Sequence, residues 1–291
     1  MFHKIAIAIG GTFLFSLLQT TPLVGNLYQR SNILTICWSL GRGIDEARAR
    51  WGFRVAKEEG IGMVRVYDSM PTPPNFLQIA QEQGVRVTMG AWLGTNSEEN
   101  AEQLDMLRKA ITDGLVEPTA IVGNEALLNK YVTVDQLIGY LEETKQNLPE
   151  SVAVTTAETD DVLINNPRLI DALRHIVGLI YYPFAHWVSI DDAFADFVEH
   201  YNKIKALSGD KKVVVYETGW PSCGLPYGKA VPSIKNQKRY NREVAQWALA
   251  NHVEVHFFQL IDEPWKAEFS DEYHTHEACW GLRHEDGSPK Y

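Results

Sequence analysis

From residue 33 onward the chain alternates two kinds of apolar pattern. Short runs rich in Val, Ile and Tyr suit buried strands, and longer stretches with apolar residues every three or four positions suit amphipathic helices. The pattern predicts strands over 33–38, 62–68, 85–94, 119–127, 152–158, 177–183, 212–220 and 253–263. Helices are predicted over 45–60, 74–84, 97–115, 133–148, 190–207 and 235–251, with a short one near 167–175. Ser97 followed by Glu98 and Glu99 is an acidic start suited to the positive end of a helix. Strands alternating with helices imply a parallel sheet. Eight such units with no low-complexity linker predict one domain, a closed (β/α)8 TIM barrel, over residues 26–291. A doubly wound open sheet is the alternative, but it places a glycine-rich turn after its first strand. Here Gly60-Ile61-Gly62 precedes a strand instead.

In such a barrel the chemistry lies at the C-terminal ends of the strands. The predicted ends carry Trp38, Tyr67, Trp92, Asn124 with Glu125, Glu158, Tyr182, Glu217 with Trp220, and Glu263 with Lys266. Glu125 and Glu217 close apolar runs on the fourth and seventh strands, which face each other across the mouth. Two carboxyl groups so placed suit glycoside cleavage, one protonating the leaving oxygen and the other attacking or activating water. The competing reading makes each an ion-pair residue at the mouth, with Arg65 or Lys266 as partner. Trp38, Trp92, Tyr182, Trp187, Trp220 and Trp265 fall at strand ends or in the loops after them. A set of rings at one rim offers flat apolar faces on which sugars pack. Trp51 and Trp247 lie inside helices and are expected in the core.

The formal net charge is −10 with no basic block, which argues against nucleic acid or an anionic membrane surface as a partner and fits a neutral ligand such as a sugar. Three cysteines, Cys37, Cys223 and Cys279, are too few for a disulfide scaffold. A Cys223–Cys279 bridge is open to the chain, but free buried thiols are the expectation. His274, His276, Glu277 and Cys279 are possible metal ligands, yet their spacing matches no closed site, so a surface or site-lining loop is expected and no metal or cofactor. At the N-terminus, Lys4, an apolar run from Ile5 to Leu18 and small Gly25 have the layout of a signal peptide over residues 1–25. An uncleaved anchor is the alternative, so the expectation is an exported or membrane-anchored protein, acting as a monomer.

The segments VGNEAL (122–127) and ETGWPS (217–222) resemble the acid/base and nucleophile motifs of glycoside hydrolase family 17, the β-1,3-glucanases and related glucanosyltransferases. VRVYD (64–68), VTTAE (154–158), YYPF (181–184), DEPWK (262–266) and WGLRHEDGSPKY (280–291) fall in the same order. The resemblance implies Glu125 as general acid/base and Glu217 as nucleophile of a retaining β-1,3-glucan hydrolase, with carboxyl groups about 5–5.5 Å apart. It implies that Asn124 bonds the sugar 2-hydroxyl, that Tyr182 orients Glu217, and that Glu263 and Lys266 support the site. Transfer to a second sugar would use the same two glutamates, and a catalytically idle glucan-binding protein is the remaining reading. Ile180 stands where the family usually carries a polar residue. The short segment between the sixth and seventh strands leaves no room for an added subdomain, which favours exo action or transfer over internal cutting.

Overall fold

The computed structural model describes residues 33–291 except 42, 72 and 269–274. The segment expected to be a signal peptide or anchor lies outside the described residues. Eight parallel strands close on themselves in chain order. They are β1 (Leu34–Cys37), β2 (Met63–Val66), β3 (Arg86–Ala91), β4 (Thr119–Asn124), β5 (Ala153–Thr159), β6 (Ile176–Ile180), β7 (Lys212–Thr218) and β8 (Val255–Phe257). Closure comes from β1 pairing with β8, Leu34 opposite Val255. The outer ring is α1 (Glu46–Glu58), α2 (Phe76–Gln83), α3 (Ser97–Thr112), α4 (Val134–Gln146), α5 (Asp160–Asn165), α6 (Pro167–Ala172), α7 (Ala193–Leu207) and α8 (Ile234–Asn251).

Local chemistry sets the helix ends. Asp45 caps α1 by accepting the Arg48 amide at 2.7 Å. Thr133 and Gln136 form a reciprocal capping box on α4. Gly84 closes α2 in the left-handed conformation. The one short helix expected after the fifth strand is two, split at Asn166 because Pro167 fits only a first helical turn.

The main core lies between the outer barrel wall and the helices. A second, small cluster fills the barrel interior: Ile121, Ala157, Ile180, Val214 and Tyr216. Gly178 makes room for it, since a Cβ there would stand 2.2 Å from the Thr156 carbonyl and 2.6 Å from the Tyr216 ring. Ile180 is therefore interior packing, which accounts for its apolarity. The eighth strand is the main boundary error: β8 stops at Phe257, six residues before the expected end, and the chain beyond runs as a loop into a 3-10 turn over Pro264–Glu268.

Candidate active site

Glu125 and Glu217 reach the mouth because their strands break register. Between β4 and β5, Ile121 faces Thr155 while Asn124 faces Ala157, so β4 carries one extra residue. Between β6 and β7, Leu179 faces Val215 and Ile180 faces Glu217, so β7 also carries one. A bulge re-aims side chains that strict alternation would send to the other face. Tyr216 lies in the barrel interior, yet its neighbour Glu217 points to the same side, toward Arg65. On β4 the break spans Gly123 at φ 83° and Glu125 at φ 49°.

Arg65, from β2, is the centre of the polar floor. Its guanidinium is fully buried and gives one N–H to Glu217 Oε1 at 3.1 Å, one to the Tyr216 carbonyl at 2.7 Å, and one to Asn124 Oδ1 at 2.6 Å. It sits 4.8 Å from the Tyr67 ring centre and 5.1 Å from that of Tyr216. Such faces stabilise a buried cation by about 2 kcal/mol. The second Glu217 oxygen accepts the Tyr182 hydroxyl at 2.7 Å. Burial, then the Glu217 charge, holds Tyr182 well above the usual phenol range, so it stays a donor. The Cys37 thiol lies against the same group and burial pushes it up to about 12, so it is neutral packing.

Glu125 is in the opposite electrostatic state. Burial first, then the charges of Glu217 and Glu158, pushes its carboxyl up to about 8. At neutral pH a proton therefore sits on Glu125 while Glu217 is paired with Arg65. One carboxyl group raised by burial and a second bonded to a buried cation suit an acid and its partner at one site.

The other sequence candidates divide. Lys266 pairs with Glu263 at 2.6 Å, and Gln259 donates to the same Glu263 oxygen at 2.8 Å. The Lys266 ammonium lies 4.8 Å from the Phe258 ring centre and 5.7 Å from that of Trp265. Glu263 and Trp265 line a cleft of about 220 Å³ together with Ser39 and Ile44. Trp92 is 39% exposed at the rim and faces Tyr131, and Trp187 is 58% exposed against Tyr227.

Two expected binding residues are not at the surface. Trp38 is 1% exposed and packs on Phe53 and Phe76 behind the barrel wall. Its indole occupies the space over Gly52, where a Cβ would lie 2.1 Å from the ring. Trp220 is wholly buried, with its N–H on the Val231 carbonyl and its ring against Phe184 and Tyr240. Both are core residues, because the strand turns their large apolar faces outward to the helices. Trp51 and Trp247 are half-buried and pack against the core, as helix position suggested.

The cysteine expectation is also corrected. Cys223 and Cys279 are bridged, their Cα atoms 5.5 Å apart, and only Cys37 is a free thiol among the described residues. The fold brings together two loops that are far apart in sequence, which spacing alone did not show. His276 bonds Glu277 at 3.2 Å, and His274 lies outside the described residues.

Two rings central to the site were not singled out from the sequence. Phe258 meets Tyr67, Tyr182 and Trp280, and Trp280 stands 5.1 Å from Tyr182, behind the Glu217 contact. Phe258 was hidden inside an overextended strand. Trp280 lay in a terminal motif with no strand of its own. A groove of about 780 Å³ between α2 and α3, lined by Met70, Leu77 and Met106, opens on the outer wall away from these groups.

A closed (β/α)8 barrel with a protonated and a cation-paired carboxyl group at its C-terminal mouth has the architecture of a glycoside hydrolase. Residues 45–281 match the BtgE/BtgC glycoside hydrolase domain, and the chain belongs to that family. A probable glucan endo-1,3-beta-glucosidase btgC of Aspergillus clavatus is 29% identical over 220 residues, 68% of this chain and 32% of that protein. A probable beta-glucosidase btgE of the same organism is 29% identical over 216 residues, 72% of this chain and 38% of that protein. The chain thus spans about a third of the length of the curated relatives it matches. Among solved structures, the glycoside hydrolase family 17 beta-1,3-glucanosyltransferase from Rhizomucor miehei is similar at a TM-score of 0.77, covering 88% of this chain and 94% of that one at 22% identity. At that identity the likeness is one of fold.

Proposed function

We propose that the chain is a retaining glycosidase acting on β-1,3-glucan. The observation that carries this is the arrangement of the two carboxyl groups at one mouth: Glu217 bonded by Arg65 and oriented by Tyr182, and Glu125 raised by burial. Glu125 gives its proton to the glycosidic oxygen as the bond to the anomeric carbon breaks. Glu217 attacks that carbon and forms a glycosyl ester. Glu125, now ionised, takes a proton from the incoming hydroxyl, whose oxygen displaces Glu217 and restores both groups. Positioned proton transfer of this kind contributes roughly 10²–10⁴-fold to rate.

The remaining site residues have supporting parts in this reading. Asn124 turns its carbonyl to Arg65, which leaves the amide end to donate to a sugar hydroxyl. Glu263, held by Lys266 and Gln259, and half-buried Tyr67 shape the floor. Exposed Trp92 and half-buried Trp265 offer faces for sugar rings. The relatives' names support the linkage.

The test is incubation of the protein with a β-1,3-gluco-oligosaccharide while product masses are recorded. Shorter products alone assign water as acceptor. Products longer than the substrate assign transfer to a second sugar. An unchanged substrate refutes the enzyme reading for this linkage, and binding without turnover would leave a glucan-binding protein. We also propose that the protein is exported, since a bridged Cys223–Cys279 pair persists in oxidising compartments. A free-thiol count of three on protein taken from its native compartment would refute that.

A further inference from the structure

Glu158 is the penultimate residue of β5 and is wholly buried. A carboxyl group in that position is costly unless it is bonded or used. Its partners are backbone amides. Leu127 N–H donates to Oε1 at 2.9 Å, and the amides of Ala126 and Leu128 are directed at the same carboxyl. Successive amides in a turn form a small anion cradle. The other oxygen, Oε2, is buried with no hydrogen-bond partner.

The cradle is the turn that begins with Glu125. The Glu125 amide donates to the Ala157 carbonyl at 2.8 Å, and its own carbonyl accepts the Asn129 amide at 2.9 Å. Glu125 itself has φ 49°, in the left-handed region. A side chain other than glycine there is strained and must be held by its surroundings. Through its bond to the Leu127 amide, Glu158 ties down the turn that sets the direction in which Glu125 leaves the strand.

We propose that Glu158 is a positioning residue for Glu125, holding through its buried carboxyl the turn on which the acid is mounted and keeping a second acidic group behind it. The proposal rests on the acid/base reading of Glu125. The charged groups acting on Glu125 are Glu217 from β7, Glu158 from β5, Arg65 from β2 and Glu277 from the turn over Thr275–Ala278. Burial pushes Glu158 itself up to about 7, with the three amides opposing. Its charge therefore grows in the range where Glu125 must keep its proton.

The experiment compares Glu158→Gln and Glu158→Ala. Gln keeps an oxygen for the Leu127 amide and removes the charge. The Gln variant is expected to fold normally and to lose activity at lower pH on the alkaline side, since Glu125 loses one charge that favours its protonated form. The Ala variant removes the grip as well, and kcat is expected to fall on the order of 10²-fold with KM little changed, the scale of a misplaced reacting group. Carbon-13 NMR titration of the Glu125 carboxyl in wild type and Glu158→Gln reads the same shift without turnover. A protein that cleaves no glucan but shows that NMR shift refutes the functional reading and keeps the placement. An unmoved Glu125 midpoint in Glu158→Gln, or an Ala variant with wild-type kcat and pH profile, overturns the proposal. If the Ala variant does not fold, the Gln titration decides alone.

Discussion

Removing the Cys223–Cys279 bridge should cost stability and leave catalysis largely intact. The bridge joins the loop after β7, the strand of Glu217, to the loop that leads into Trp280, and closes a segment with a sequence separation of 56. The chain-entropy relation for a loop of that size gives about 14 cal/mol/K, or roughly 4 kcal/mol at 25 °C. For a domain of this size each kcal/mol moves Tm by about 2–4 °C, so the double variant Cys223→Ser/Cys279→Ser should melt roughly 8–16 °C lower. The same shift should appear when wild type is melted in reductant, and reductant should not move the double variant.

Activity behaves differently because other bonds hold the same loops. Ser222 donates to the Cys279 carbonyl through both its amide and its hydroxyl at 2.9 Å. The Lys290 ammonium, its side chain wholly buried, bonds Ser222 Oγ at 2.6 Å and Asp262 Oδ1 at 2.7 Å. Gln237 and the Gln259 amide fix the Trp280 carbonyl. With Trp280 still behind Tyr182, kcat at 25 °C should stay within about threefold, a change under 1 kcal/mol. A Tm shift below about 3 °C would refute the entropic argument. A loss of kcat beyond tenfold at a temperature where the variant is folded would show that the bridge, and not this bond network, positions the ring.

Arg65→Met should remove the cation from between two tyrosine rings and strand Glu217, costing about 3–5 kcal/mol in urea unfolding at pH 7 and abolishing turnover; a variant as stable as wild type would refute the pairing. The alkaline limb of kcat/KM should fall near pH 8, because the proposed acid Glu125 would act only while protonated; a limb that stays flat to pH 10 would remove Glu125 as the acid. The same burial has a stability sign. A carboxyl raised in the folded state contributes stability that is full below its unfolded value of about 4.3 and is lost as pH rises through about 8. Glu125→Gln should therefore raise Tm at pH 9 and leave it unchanged at pH 4, and equal effects at both would contradict the burial argument.

Much of the barrel was legible because its strands are short, largely apolar runs set off by helical segments, several of them rich in Val and Ile, a pattern set by burial on both faces. The ends of those runs were less so. Strand-like composition continues past Phe257 to Ile261, and isolated backbone bonds do too, from the Phe258 amide to the Thr218 carbonyl and from the Leu260 amide to the Cys37 carbonyl, but the paired register with β1 and β7 ends at Phe257, so the loop carrying Phe258 and Gln259 read as strand. The tryptophans show the same limit. Trp38 and Trp92 both follow apolar runs, yet one turns toward the helices and the other toward solvent. Which way a ring turns depends on strand register, and composition does not encode register.

The two carboxyl groups were legible for a different reason than the one that makes them work. Sequence showed Glu125 and Glu217 as acidic ends to apolar runs. Alternation alone would have assigned Glu217 to the face opposite Tyr216, away from Arg65. A single extra residue on β7 cancels that assignment, and another on β4 does the same beside Asn124. A bulge has no composition of its own, although Gly123 at φ 83° marks one of them. Once both bulges are in place, Arg65 can reach Asn124 and Glu217 from β2 with a single guanidinium. The different surroundings of the two glutamates then follow from geometry: the Arg65 cation bonds Glu217, and burial raises Glu125.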